Sequence, residues 1–258
     1  MSRPRILVTN DDGYRSKGIG VLAAALSSLG DVLVVAPDGD RSGIGHALSI
    51  KHPVHVAPVR DAEVRTFRAT GTPADCVVIG ALDLFDERPD LVVSGINRGA
   101  NLGDDVNYSG TVAAAIESVL VGVPSIAISL AYGQSDAVFH WDTAANVAVS
   151  LAKDVLEHGL PPLDLLNVNV PNVPHEVLRG VRWVRQGRKS YDDRIDRRSD
   201  PRGGTYYWIW GTFDRRIEEG TDLAAIRDGY ASITPVSIDR TDEALLETRG
   251  ASQAYTLR

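Results

Sequence analysis

Ile6-Leu7-Val8-Thr9-Asn10-Asp11-Asp12-Gly13 is the stretch on which the fold of this chain turns. An apolar run without polar alternation reads as a strand covered on both faces of a parallel sheet. It ends in an amide, two adjacent acids and a glycine, so the carboxyl end of the strand carries concentrated negative charge. In open α/β sheets that edge is where ligands bind. Adjacent carboxylates repel unless a cation or a raised pKa relieves them. Hard divalent cations take oxygen ligands and keep water and substrate phosphate in their shell, which suggests a metal-dependent site acting on phosphate. Asp-Asp-Gly is equally good turn chemistry, and the rest of the chain has to decide between the two.

Working outward, Gly18 to Leu29 has Ile19, Leu22, Leu26 and Leu29 on one helical face, and Val32 to Ala36 is a second strand closed by Pro37. Asp38 to Gly45 is a loop. Ala47 to Pro58 and Glu63 to Arg68 suggest short antiparallel strands. Thr72-Pro73-Ala74-Asp75 starts a helix with a Thr cap, an early Pro and an acid three residues later, continued by Cys76 to Leu84. Leu91 to Ser94, Ser125 to Leu130 and Leu165 to Val170 read as strands, with helices over Thr111 to Val121 and Thr143 to His158 between them. This alternation predicts an α/β fold: a doubly wound, mostly parallel, Rossmann-like sheet over residues 1–174. Residues 175–258 read as an extension carrying a β-hairpin around the aromatic Tyr206-Tyr207-Trp208-Ile209-Trp210, a short helix near Asp222–Arg227 and a closing strand Ala231–Val236. Its exposed aromatics suit oligomer contacts. The Arg-rich 186–204 segment reads as a subunit joint, with steering of anionic substrate as the alternative.

The totals set limits. In 258 residues with a formal charge of -7 nothing has the basic footprint of a nucleic-acid polymer binder. A single cysteine, Cys76, rules out internal disulfides and Cys-rich zinc sites and suits a reduced, cytoplasmic setting. No apolar run has the ~18 residues of a membrane span.

Four polar, Gly-rich loops follow predicted strands. After Asp11 and Asp12 come Pro37 to His46, Ser94 to Gly103, and Asn107-Tyr108-Ser109-Gly110-Thr111. Ser42 and Asn97 offer neutral oxygens that complete a carboxylate site without more charge. Ser109, Gly110 and Thr111 sit where a helix start aims free N–H groups outward, which suits phosphate, and Asn101 is placed to donate to a phosphate oxygen. His46 and Arg41 read as solvated loop residues unless they face the site, in which case His46 is a candidate acid for the leaving group. Gly43-Ile44-Gly45 begins like a dinucleotide fingerprint, but Leu48 stands where the third glycine belongs. No Gly-x4-Gly-Lys phosphate loop and no Gly-x-Ser-x-Gly elbow exists. A receiver domain would need an aspartate where the third parallel strand runs into Ser94-Gly95-Ile96-Asn97.

Together the blocks at 6–13, 36–43, 71–75, 94–103 and 108–111, with Asp228 to Pro235 near the end, resemble the SurE family of 5′-nucleotidases, in the family's order. The resemblance implies a metal-dependent phosphatase of nucleoside 5′-monophosphates, extending to 3′-monophosphates and short polyphosphate. It implies one divalent cation, Mg²⁺ or Mn²⁺, per subunit, on Asp11, Asp12, Ser42 and Asn97. It also implies a homo-dimer or homo-tetramer built partly by exchanged C-terminal segments. The expected site therefore has Asp11 and Asp12 as catalytic residues and Asn101, Ser109, Gly110 and Thr111 around the phosphate. A non-enzymatic metal- or nucleotide-binding sensor is the alternative.

Overall fold

Ile6, Leu7 and Val8 have no exposed surface, so β1 (Arg5–Thr9) lies at the centre of the molecule. The structure is a computed structural model that describes residues 3–133, 136–189, 191–213 and 217–249. In chain order β1 is followed by α1 (Lys17–Leu26), β2 (Asp31–Pro37), β3 (Val56–Pro58), β4 (Thr66–Ala69) and α2 (Pro73–Ile79). Then come β5 (Leu91–Arg98), α3 (Gly110–Leu120), β6 (Ser125–Ala131), α4 (Trp141–His158) and β7 (Asp164–Pro171). The last third holds β8 (Val181–Trp183), β9 (Tyr191–Ser199), β10 (Thr205–Phe213), α5 (Asp222–Arg227), β11 (Ala231–Ser237) and α6 (Glu243–Arg249).

Among the described residues the main sheet runs β3-β4-β2-β1-β5-β6-β7-β11-β8. From β4 to β7 every pairing is parallel, while β3 joins β4 and β11 joins β7 antiparallel and β8 adds to β11 in parallel. Strand order reverses at β1, with β2 and β4 on one side and β5 to β7 on the other. The crevice between the ends of β1 and β5 is therefore the topological switch point, where such sheets hold ligands. The doubly wound sheet expected from the sequence is present. One face is covered by α1 and α4, whose Ile19, Leu22, Leu26, Ala144 and Ala148 pack on Ile6, Val8 and Val93. The other is covered by α2 and α3, with Cys76 and Val77 against Leu7 and Leu33, and Val112 and Ala115 against Ala127 and Leu165.

The Thr72 cap behaves as its residues dictate: its hydroxyl accepts from Asp75 N–H at 3.1 Å and the Asp75 carboxylate accepts from Thr72 N–H at 2.8 Å. Several expected boundaries move. Helix α1 stops at Leu26 rather than Leu29, because the Ser27 and Ser28 hydroxyls donate back to the Ala23 and Ala25 carbonyls and compete with the next turn. After Ile79 the backbone widens into a π-helical turn over Gly80–Leu84. Of Ala47 to Pro58 only Val56–Pro58 is a strand. The Arg-rich segment is more regular than its sequence suggests, since Tyr191–Ser199 pairs along its whole length with β10. Helix α6 lies where no element was expected.

Candidate active site

The turn after β1 is closed by a residue the sequence reading passed over. Asn10 is fully buried; its Nδ2 donates to the Gly13 carbonyl at 3.1 Å and to Ser16 Oγ at 2.8 Å, while its Oδ1 accepts from Gly13 N–H at 3.2 Å. Ser16 caps α1, so Asn10 ties the turn to the helix behind it. Asn at such a turn is itself a local signal that could have been used. Gly13 has φ +92°, and a Cβ there would stand 3.1 Å from the Gly39 backbone. The first loop thus rests on the second at a separation that favours glycine.

Asp11 is 4 % exposed, and its Oδ1 accepts from the Thr111 hydroxyl at 2.5 Å. The start of α3 presses against it: a Cβ on Gly110 would lie 2.7 Å from Asp11 Cβ. Asp12 Oδ2 accepts from Arg98 N–H at 3.0 Å, so the second acid holds the end of β5. Burial pushes both carboxyls above their usual range. Thr111 opposes the shift at Asp11, whereas at Asp12 the Arg98 N–H opposes it and the charges of Asp11 and Asp40 add to it. Desolvated like charges side by side are the condition that a cation relieves.

The second and third loops close on this pair. Arg41 N–H donates to the Asp11 carbonyl at 2.8 Å, bringing Ser42 alongside. Asp40 accepts from both Ser42 N–H, at 2.8 Å, and Ser42 O–H, at 2.6 Å; these bonds hold its carboxyl below the usual range and orient the hydroxyl. Asn97 Nδ2 donates to the Gly99 carbonyl at 2.9 Å, which fixes the amide nitrogen and leaves the amide oxygen as the end that could meet a cation. Asp11, Asp12, Ser42 and Asn97 therefore come from three adjoining segments. Among the described residues no group of three or more His, Cys, Asp or Glu has metal-holding placement. A cation here would rest on two carboxylates and neutral oxygens, the donor set of a hard cation rather than of zinc.

The Ser109 hydroxyl caps α3, accepting from Val112 N–H at 3.1 Å, and Gly110 and Thr111 open the helix beside Asp11. Asn101 lies deeper. It is 7 % exposed, and its Nδ2 donates to Ser129 Oγ at 2.8 Å. Its backbone N–H donates to Asn169 Oδ1, and its carbonyl accepts from the Asn167 and Asn169 amides. The loop beyond is fastened to the last third of the chain by fully buried Asp222, which accepts from Gly103 N–H and Gly187 N–H at 2.8 Å each.

Arg41 makes an ordinary loop ion pair with Asp38 at 2.9 Å. His46 does more than a solvated loop residue: its Nε2 lies 2.7 Å from an Oε of Glu117. Glu117 is only 9 % exposed and went unremarked in the sequence, although an acid within the apolar Val112 to Leu120 run was a visible signal.

A profile of the family described as "Survival protein SurE" matches residues 6–193. The chain belongs to the SurE family. It is 49% identical over 246 residues to the "5′-nucleotidase SurE" of Geobacter metallireducens, covering 95% of each chain. It is 50% identical over 247 residues to the protein of the same name from Chloroflexus aggregans, covering 94% of this chain and 96% of that one. Its structure is similar to the crystal structure of the SurE protein from Aquifex aeolicus, with TM-score 0.82, 43% identity and 95% and 98% of the two chains covered. The resemblance read from the blocks at 6–13 and 94–111 is thereby borne out.

Proposed function

We propose that this SurE-family protein is a 5′-nucleotidase that hydrolyses the phosphate monoester of nucleoside 5′-monophosphates with one divalent cation, Mg²⁺ or Mn²⁺, per subunit. The observation that carries the proposal is Asp11, a buried carboxylate at the switch point with the start of α3 packed against it. Relatives at about half identity over nearly the whole chain bear the name 5′-nucleotidase. Asp11, Asp12, Ser42 and Asn97 would hold the cation, with Asp40 orienting the Ser42 hydroxyl. When bound, the cation polarises the phosphoryl group and lowers the pKa of the attacking water. The Ser109 hydroxyl and the Gly110 N–H hold the phosphoryl oxygens as charge redistributes, with Thr111 fixing Asp11 beside them. Asn101 has one amide hydrogen on Ser129 and offers the second. One of the two aspartates orients the attacking water and accepts its proton.

The hairpin of β9 and β10 exposes Ile195, Tyr207, Trp208 and Ile209 by more than half of each residue. An apolar surface of this kind supports self-association into a homo-dimer or homo-tetramer. No helix among the described residues is long and apolar enough to cross a membrane.

The test is phosphate release by metal-stripped protein across nucleoside 5′- and 3′-monophosphates and short polyphosphate, with Mg²⁺ or Mn²⁺ restored. Turnover of 5′-monophosphates that is lost in Asp11→Asn is expected. Binding of Mn²⁺ and nucleotide without phosphate release would instead make the protein a sensor.

A further inference from the structure

The sheet beneath the loop after β5 grips the backbone of Asn101 with side chains rather than with another backbone. Asn169 Oδ1 accepts from Asn101 N–H at 2.8 Å, and Asn169 Nδ2 donates to the Asn101 carbonyl at 3.0 Å. One side-chain amide thus pairs with the residue as a neighbouring strand would, and only one of its two orientations satisfies both groups. Asn167 Nδ2 donates to the same carbonyl at 2.9 Å, which fills both lone pairs of that oxygen. The Asn101 side chain is held separately, its Nδ2 donating to Ser129 Oγ at 2.8 Å. Ser129, Asn167 and Asn169 have no exposed surface.

Strand register brings these groups together. Asn169 stands beside Ser129 across the β6–β7 ladder, and Asn167, two positions earlier, lies on the same face. On that face Leu165 packs with Ala127 and Val112 in the apolar layer under α3, and the next two positions of β7 are amides. Apolar side chains would fill this layer without the cost of desolvating polar ones, if only the fold were served. The loop above has no frame of its own. Residues 99–102 belong to no strand or helix, and Gly99 and Gly103, on either side of Asn101, have φ of +133° and +55°.

The structure assigns Asn169 and Ser129 as positioning residues for the Asn101 amide, an inference that rests on the phosphatase reading above. Asn169, with Asn167 beside it, sets where the backbone of Asn101 lies. Ser129 takes one amide hydrogen and so sets the direction of the second, which that reading gives to a phosphoryl oxygen. A donor already aimed where charge develops needs no reorganisation as the substrate reacts. Both residues act through Asn101.

The test is a pair of double-mutant cycles, read as kcat/KM for phosphate release from adenosine 5′-monophosphate with Mn²⁺ and as melting temperature. Asn101→Ala removes the amide and keeps the backbone that Asn169 holds; it should lower kcat/KM at least tenfold. Ser129→Ala and Asn169→Ala should each lower kcat/KM several-fold in the otherwise wild-type protein. Added to Asn101→Ala, each should change it by less than twofold, because no amide is left to aim. The fall in melting temperature caused by Asn169→Ala should be alike in both backgrounds, since the backbone contacts it deletes are present in both. Ser129→Ala removes a single oxygen and carries the test by itself if Asn169→Ala does not fold. Equal losses of kcat/KM in the two backgrounds make these residues purely structural and overturn the assignment, as does the absence of a loss in the wild-type background. Wild-type kcat/KM in Asn101→Ala overturns it while leaving the phosphatase reading in place. Absence of phosphate release by the wild-type protein overturns that reading and the assignment with it.

Discussion

Thr111 donates its hydroxyl to Asp11 across 2.5 Å, joining the start of α3 to the end of β1 over a hundred positions of sequence. That bond satisfies a carboxylate oxygen that burial has cut off from water, and it aligns a proposed metal ligand with the proposed phosphate cradle. Thr111→Val keeps the shape and deletes the donor. Leaving a buried acceptor unsatisfied costs ~1–3 kcal/mol, so the thermal midpoint should fall and kcat should fall more than tenfold. Thr111→Ser should recover most of both. Equal kinetics in the Val and wild-type proteins would remove the bond from the account.

Gly110 and Gly39 provide a matched pair. A Cβ at Gly110 would strike Asp11 at 2.7 Å, whereas at Gly39 nothing lies within 4 Å. Gly110→Ala should displace the Asp11 carboxylate, cutting cation affinity and activity at least tenfold, while Gly39→Ala should leave both near wild type. Isothermal titration with Mn²⁺ separates these outcomes without relying on turnover.

The raised carboxyls of Asp11 and Asp12 fix a sign for pH. A carboxyl whose folded pKa lies above its unfolded value favours the folded state below the unfolded pKa, and that contribution is lost as pH rises through the folded pKa. At neutral pH the metal-free site is therefore destabilising, and Asp11→Asn should raise the melting temperature of metal-free protein. A cation at one hundred times its Kd stabilises by ~2.7 kcal/mol. Mn²⁺ should accordingly raise the melting temperature of the wild-type protein, by less as protons compete on acidification, and should do little for Asp11→Asn. Melting curves with and without Mn²⁺ from pH 5 to 8 decide it.

Asp40 accepts hydrogen bonds from both the N–H and the O–H of Ser42, a proposed cation ligand. Partners that orient a metal ligand are worth about 10–100-fold in affinity. Asp40→Ala should thus weaken Mn²⁺ binding by about tenfold with little change in melting temperature of the metal-free protein. Unchanged affinity would make Asp40 a plain loop turn.

Helix α1 supplies a stability contrast. A Cβ at Gly18 would fall 2.1 Å from the Ile96 carbonyl, but at Gly20 it would meet nothing within 4 Å. Gly18→Ala should destabilise by several kcal/mol, a large effect of the overpacking kind. Gly20→Ala should stabilise by up to ~1 kcal/mol through helix propensity. Denaturant midpoints read both.

Much of the fold was legible because the signals are local. The Thr72–Asp75 cap, the apolar strands at 5–9 and 165–170 and the short helix at Asp222–Arg227 each depend on neighbours within a few residues. The back-bonding of Ser27 and Ser28 and the Asp40–Ser42 turn are also local, and a closer reading of short polar side chains would have found them. The ionic character of 191–199 hid a strand whose pairing partner, β10, is itself a hairpin arm rather than part of the main sheet. Asn101 read as a phosphate donor from its loop alone; that Ser129, Asn167 and Asn169 on two other strands hold it in place depends on the tertiary structure.

From its residues alone this chain declared an alternating α/β sheet, the order of its strands and helices, and the acids and amides that crowd the carboxyl edge, because hydrophobic period and turn chemistry act over a handful of bonds. The tertiary structure alone decided that β11 enters the sheet beside β7, that Glu117 holds His46, and that Gly110 must be bare where Asp11 arrives. Those contacts span from dozens to a hundred positions. They follow from strand order and register, which no window of sequence contains.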